Sequence, residues 1–206
     1  MISPKSCPKK TEEKILEAAG REFAEFGLAG ARVDRIAFRS GINKAMIYYY
    51  FRSKENLYQT ILNRHFDEIA QLLEENLKAE DSIESVFSKL AHAYNVIFEK
   101  QNEFIPVILR EAASGGERMK RALTRLLMEK GLVSKLKGII DTGKKEGRFR
   151  NVDSRQAIIS FVGMNIYYLI MSPLVNSVLE IKDEKKFRRR RQKEVVDLFL
   201  HGLEVK

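Results

Sequence analysis

The residues best equipped for chemistry fall between Arg32 and Lys54, in RVDRIAFRSGINKAMIYYYFRSK. Lys44 carries a cation that can donate to guanine O6 or N7. Ala45 and Met46 offer apolar surface to a thymine methyl, and Tyr48 and Tyr49 combine phosphate-reaching hydroxyls with rings that pack on sugars. Lys54 stands at a helix start, where the dipole and the ammonium both favour a phosphate. Three consecutive tyrosines, Tyr48, Tyr49 and Tyr50, point about 100° apart on a helix, so at least one must face solvent. Cations and hydroxyls that fix register, beside groups that read base edges, describe duplex DNA recognition.

Two short helices must hold these side chains. The spacing predicts one over about 33–39, a turn at Ser40-Gly41, and a second over about 44–51 with Asn43 as its N-cap. Val33, Ile36 and Ala37 recur at i, i+3, i+4, as do Ile47, Tyr50 and Phe51. Lys44, Ala45, Tyr48 and Tyr49 are left on the outer face, with Met46 at its edge. Two helices joined by a tight turn form a helix-turn-helix. A helix from Thr11 to about Phe26, ended by Gly27, supplies Ile15, Ala18, Ala19, Phe23 and Phe26 to cover it. Ser53 caps a fourth helix running to about residue 78.

The pattern IA-x-x-SGIN-x-x-x-IYYYF-x-SKE-x-L resembles the DNA-binding signature of TetR-type transcriptional regulators, over Ile15 to about Phe66. The resemblance implies contacts to DNA from Tyr48, Tyr49 and Tyr50. It also implies a four-helix dimer interface built from the last two helices of each subunit. The family usually places Thr or Ser near the start of the first of the two short helices. Here Arg32 stands there and joins the DNA-contacting set. The usual Ala before the turn glycine is Ser40.

The remaining chain reads as all-α, with about nine helices and no strand or repeat. Its 206 residues contain four prolines and 12 glycines and carry a formal net charge of +9. Residues 1–64 hold 12 Lys/Arg against 7 Asp/Glu, hence +5, the footprint of a phosphate-backbone binder. Residues 1–10 read as a flexible basic arm, 11–55 as the DNA-binding domain, and 56–206 as a helical effector-binding and dimerisation domain. A single long helix is expected over about 117–145. Another is expected from Asp153 or Ser154 to about Ser172, with Pro173 just beyond it or kinking it. One cysteine, Cys7, permits no intrachain disulfide and suits a cytoplasmic location.

The middle helices supply surface for a small, largely apolar effector: Tyr94, Phe98, Ile108, Met128, Phe161, Met164 and Tyr168, with Asn95, Arg110 and Asn165 as orienting polar groups. Ile158, Ile159, Val162, Ile166 and Ile170, together with Val195, Val196 and Phe199, are expected at a homodimer interface. The uncharged stretch Ala157–Leu179, followed by Arg188–Arg191, also fits a membrane-associated or lipid-sensing helix. Polar interruptions favour a buried helix with no membrane partner. His65, His92 and His201 are scattered, and neither a Gly-rich phosphate loop nor H-E-x-x-H occurs, so no catalytic, metal or cofactor site is expected.

Overall fold

A computed structural model describes residues 8–76, 81–101, 104–124 and 131–205. The named helices are α1 (Pro8–Gly30), α2 (Val33–Ser40), α3 (Lys44–Phe51), α4 (Lys54–Asn76), α5 (Ile83–Gln101), α6 (Ile105–Ala113), α7 (Glu117–Thr124), α8 (Leu132–Lys145), α9 (Ser154–Val178) and α10 (Glu184–Leu203). Among the described residues there are ten helices where about nine were expected, because the 117–145 stretch is not one element. Its second part starts afresh at Leu132, after Gly131 adopts φ 64° at the N-cap.

Two compact units emerge: Met1–Asp67 with Glu103–Leu123, and Glu68–Asn102 with Thr124–Lys206. The first takes in more chain than the 11–55 span read from the sequence. Ile15, Ala19, Phe23, Ile36, Leu57, Tyr58 and Leu62 form much of its interior, with Phe23 and Tyr58 edge-on at 4.8 Å. Burial raises the Tyr58 phenol well above its ordinary pKa, and the neighbouring Glu111 carboxylate adds to this. Gly27 interrupts α1 with φ 66° and ψ 176°, a conformation open essentially to glycine alone.

The second unit packs around Phe87, Phe161 and Phe199, whose ring centroids lie 4.8–5.0 Å apart. Val86, Leu90, Leu136, Ile140, Val195, Val196 and Leu203 complete this core. Phe149 enters it across Gly143, where a Cβ would stand 2.4 Å from the ring. The strand-like end of the chain pairs there too: Arg150 N–H donates to the Leu203 carbonyl at 2.8 Å and Val205 N–H to that of Arg148 at 3.1 Å. Helix α9 continues through Pro173 to Val178, past the expected stop.

Candidate nucleic-acid interface

The helix-turn-helix is fixed from both ends of its turn. Gly41 takes φ 67° at the C-cap of α2, and the Asn43 side chain accepts from the Ala45 N–H at 2.9 Å. Ile47 and Phe51 are buried while Tyr50 is half-buried, which turns the opposite side of α3 outward. Lys44, Ala45 and Met46 are exposed there. Tyr48 and Tyr49 are 40 % and 65 % exposed, so neither is a core residue. Tyr49 meets Tyr50 edge-on at 5.5 Å.

Arg32 occupies the N-cap of α2 but provides no side-chain cap. The N–H of Arg32 itself is met by Glu22, a fully buried carboxylate on α1 that the sequence pattern did not single out. Its Oε1 accepts from the Arg32 N–H at 3.0 Å and from Arg35 Nε at 2.6 Å. Its Oε2 faces Arg39 Nη1 at 3.7 Å. Arg39 is held mainly by Glu25, at 2.8 Å. A charged residue at an apolar-periodic position was the available signal, since a glutamate is rarely buried without a partner.

Two expected DNA contacts already have partners within the chain. Lys44 pairs with Asp34 at 2.8 Å, and this hydrogen-bonded carboxylate raises the ammonium's pKa. Lys54 donates to the Ala31 carbonyl at 3.1 Å, tying the start of α4 to the entry of α2. Ser53 caps α4 by accepting from Asn56 N–H at 3.0 Å. An open groove of about 460 Å³ on this unit is lined by Lys14, Glu17, Ala18, Arg21, Arg39 and Ser40. None of the expected effector contacts lines it.

The expected effector residues are divided between the two units. Ile108 and Arg110 belong to the first unit, whereas Tyr94, Asn95, Phe98, Phe161, Met164, Asn165 and Tyr168 belong to the second. Arg110 is committed to α1. Its Nη1 donates to the carbonyls of Phe23, at 3.4 Å, and Ala24, and Nη2 to that of Glu25 at 3.2 Å. Phe161 is core, and the Asn95 and Asn165 amides donate to their own helices, at Ala91 and Phe161. Burial raises the Tyr94 phenol to about 12. Tyr168 donates to Asn176 Oδ1 at 2.8 Å beneath the Arg191 guanidinium, 5.3 Å away. Met128 lies outside the described residues, as does most of the 1–10 arm.

The expected dimer set divides similarly. Val195, Val196 and Phe199 are buried in the second unit's core, because α10 packs that face on α5 and α9. Ile158 packs partly against the same core. Val162, Ile166 and Ile170 are half-buried, and Ile159 is 65 % exposed. In the run Arg188–Arg191, Arg188 pairs with Glu99 at 3.3 Å and lies over the Phe98 ring, so part of it folds inward.

Comparison with known proteins agrees with this architecture. Residues 15–61 match "Bacterial regulatory proteins, tetR family", and residues 84–198 match "Tetracyclin repressor-like, C-terminal domain". The chain is similar to the HTH-type transcriptional repressor SCO4008 of Streptomyces coelicolor. They share 43 % identity over 63 residues, 31 % of this chain and about a third (33 %) of that repressor's length. It is also similar to the repressor NicS of Pseudomonas putida, with 27 % identity over 144 residues, 69 % of this chain and 67 % of that one. Its fold resembles that of the fatty acid degradation regulator FadR from Bacillus halodurans. That likeness has a TM-score of 0.70 at 21 % identity and covers 98 % and 100 % of the two chains. By length and composition α9 could cross a membrane, but it lies inside the stretch matched by the family's C-terminal domain, which disfavours the membrane reading. The chain belongs to the TetR family and is a DNA-binding, ligand-responsive transcriptional regulator.

Proposed function

We propose that the chain is a repressor acting in the cytoplasm, which binds a pseudo-palindromic operator as a homodimer and leaves it on taking up a small, largely apolar ligand. The observation that carries the DNA-reading surface is the burial of Ile47 and Phe51 against the exposure of Lys44, Tyr48 and Tyr49. Lys44, Ala45 and Met46 read base edges in the major groove. Tyr48, Tyr49, Tyr50, Arg32 and Lys54 hold the backbone. Lys44 must exchange Asp34 for DNA, and Lys54 reaches phosphate from its seat beside Ala31.

Support for the homodimer comes from α9, only 22 % of whose most apolar window is buried within the chain. Ile159, Val162, Ile166 and Ile170, joined by the exposed Leu198 of α10, form the proposed interface. Val195, Val196 and Phe199 drop out because their surface is already covered. One helix-turn-helix reads few base pairs, and a two-fold pair places two on successive major grooves. The effector is assigned to Tyr94, Phe98, Met164 and Tyr168 of the second unit. A coupling of about 1–3 kcal/mol between ligand and DNA suffices for the switch.

Selecting bound duplexes from a random pool, then screening small molecules for release, tests this reading. Recovery of an inverted repeat, released by an apolar compound, is the expected result. Enrichment of no sequence at moderate ionic strength overturns it.

A further inference from the structure

Arg52, between α3 and α4, takes φ 66° and ψ −45°, one of two non-glycine residues with positive φ among those described. Its own N–H donates to the Tyr48 carbonyl at 2.8 Å, and the Ser53 N–H donates back to that of Phe51 at 2.8 Å. This is a γ-turn of the positive-φ kind, a rare and strained geometry that an L side chain resists. Glycine would accept the turn more easily, yet an arginine stands there. Strain of this sort concentrates at functional positions.

The side chain points to the reason. Arg52 is exposed, and its guanidinium lies 6.0 Å from the centroid of the Tyr49 ring, on the outward side of α3. The neighbouring cations are differently placed. Arg35 and Arg39 are tied to Glu22 and Glu25, Lys44 to Asp34, and Lys54 to the Ala31 carbonyl. From Arg32 to Lys54, among the described contacts, Arg32 and Arg52 are the two cations with neither a carboxylate nor a carbonyl partner. They stand at the N-cap of α2 and the C-cap of α3.

We propose that Arg52 is a DNA-backbone contact, held by the strained turn beside Tyr49 so that its guanidinium meets a phosphate at the end of the recognition helix. This rests on α3 being the DNA-reading helix. A planar guanidinium suits a phosphate because two of its N–H groups can donate in parallel. The contact carries no sequence information, so it raises affinity for every duplex.

The test uses the full-length protein and a fluorescein-labelled duplex of random sequence, with binding followed by anisotropy across a salt series. Arg52→Gly relaxes the turn while deleting the cation. It should melt no lower than the parent, yet bind about three- to tenfold more weakly, with a salt slope shallower by about 0.9 for each phosphate no longer neutralised. Arg52→Lys should recover most of the slope. Parental affinity and slope in Arg52→Gly would overturn the proposal. Tyr48→Phe and Tyr49→Phe, measured alongside, remove two other backbone contacts of α3 and separate two failures. If they weaken binding while Arg52→Gly does not, only the role of Arg52 falls. If all three bind like the parent, the assignment of α3 falls with it.

Discussion

The carboxylate of Glu22 accepts from Arg35 Nε at 2.6 Å with no exposure to solvent, while Arg35 keeps about a third of its side chain in water. The same oxygen takes the Arg32 N–H, so one buried glutamate does for α2 what the glutamate of a capping box does elsewhere. Replacing it with alanine leaves a guanidinium and a helix-start N–H without their acceptor. Glu22→Ala should lower stability by about 2–4 kcal/mol in urea unfolding, and Glu22→Gln, which keeps an acceptor, by about half as much. Equal losses from the two substitutions would show that burial rather than hydrogen bonding sets the cost.

Gly27 and Arg110 form a second such joint. The Arg110 Cδ lies 3.3 Å from where a Cβ on Gly27 would stand, and its guanidinium covers the carbonyls just before that glycine. A cation at the negative end of a helix dipole is favourable. Gly27→Ala meets both a forbidden backbone geometry and the arginine, and should cost about 1–3 kcal/mol. Arg110→Ala should cost about 1 kcal/mol. In the double variant the clash with Arg110 is gone, so thermal unfolding should show less than the sum of the two losses.

Asp34 holds the Lys44 ammonium at 2.8 Å across a solvent-exposed gap. Exposed pairs of this kind add little to stability but oppose any competing anion. Asp34→Asn should therefore leave the melting temperature in place while tightening binding to random-sequence duplex at low salt. The gain should vanish in a Lys44→Ala background. A gain that persists there would trace to general charge rather than to Lys44.

Asp153, the N-cap of α9, is held at about 2, first by its hydrogen bond with the Arg155 side chain and then by the Arg155 backbone N–H. A carboxylate whose pKa falls on folding contributes stability above its unfolded value, and that contribution is lost as pH drops through the folded one. The start of α9 should thus stay protected at neutral pH. Its amide protection factors, exchange taken relative to the intrinsic rate at each pH, should fall between the ordinary carboxylate range and about pH 2. Asp153→Asn, still a good cap, should flatten this pH dependence.

Much of the DNA-binding head was legible because its signals are local. Ser40-Gly41, Asn43 and the spacing of Ile47 and Phe51 dictate a turn, a cap and a buried face within a dozen residues. Glu22, Arg110 and Arg52 were illegible for different reasons. The first two act across the tertiary fold, Arg110 on carbonyls more than eighty residues away, and no periodicity encodes such a meeting. Arg52 departs from the turn chemistry that would have placed glycine there. Apolar spacing on α10 could not say which partner covers it. Val195, Val196 and Phe199 were equally consistent with a subunit interface and with the core that Phe87 and Phe161 complete. Gly131 lay inside an otherwise helical pattern, where a glycine can be tolerated as well as break the helix.

The claim that the outer face of α3 reads DNA is tested most directly by repeating the random-pool selection with Lys44→Ala. Preference should relax at one base pair in each half-site, with the rest of the selected sequence and its two-fold symmetry kept. A selected sequence identical to the parent's at every position would contradict it.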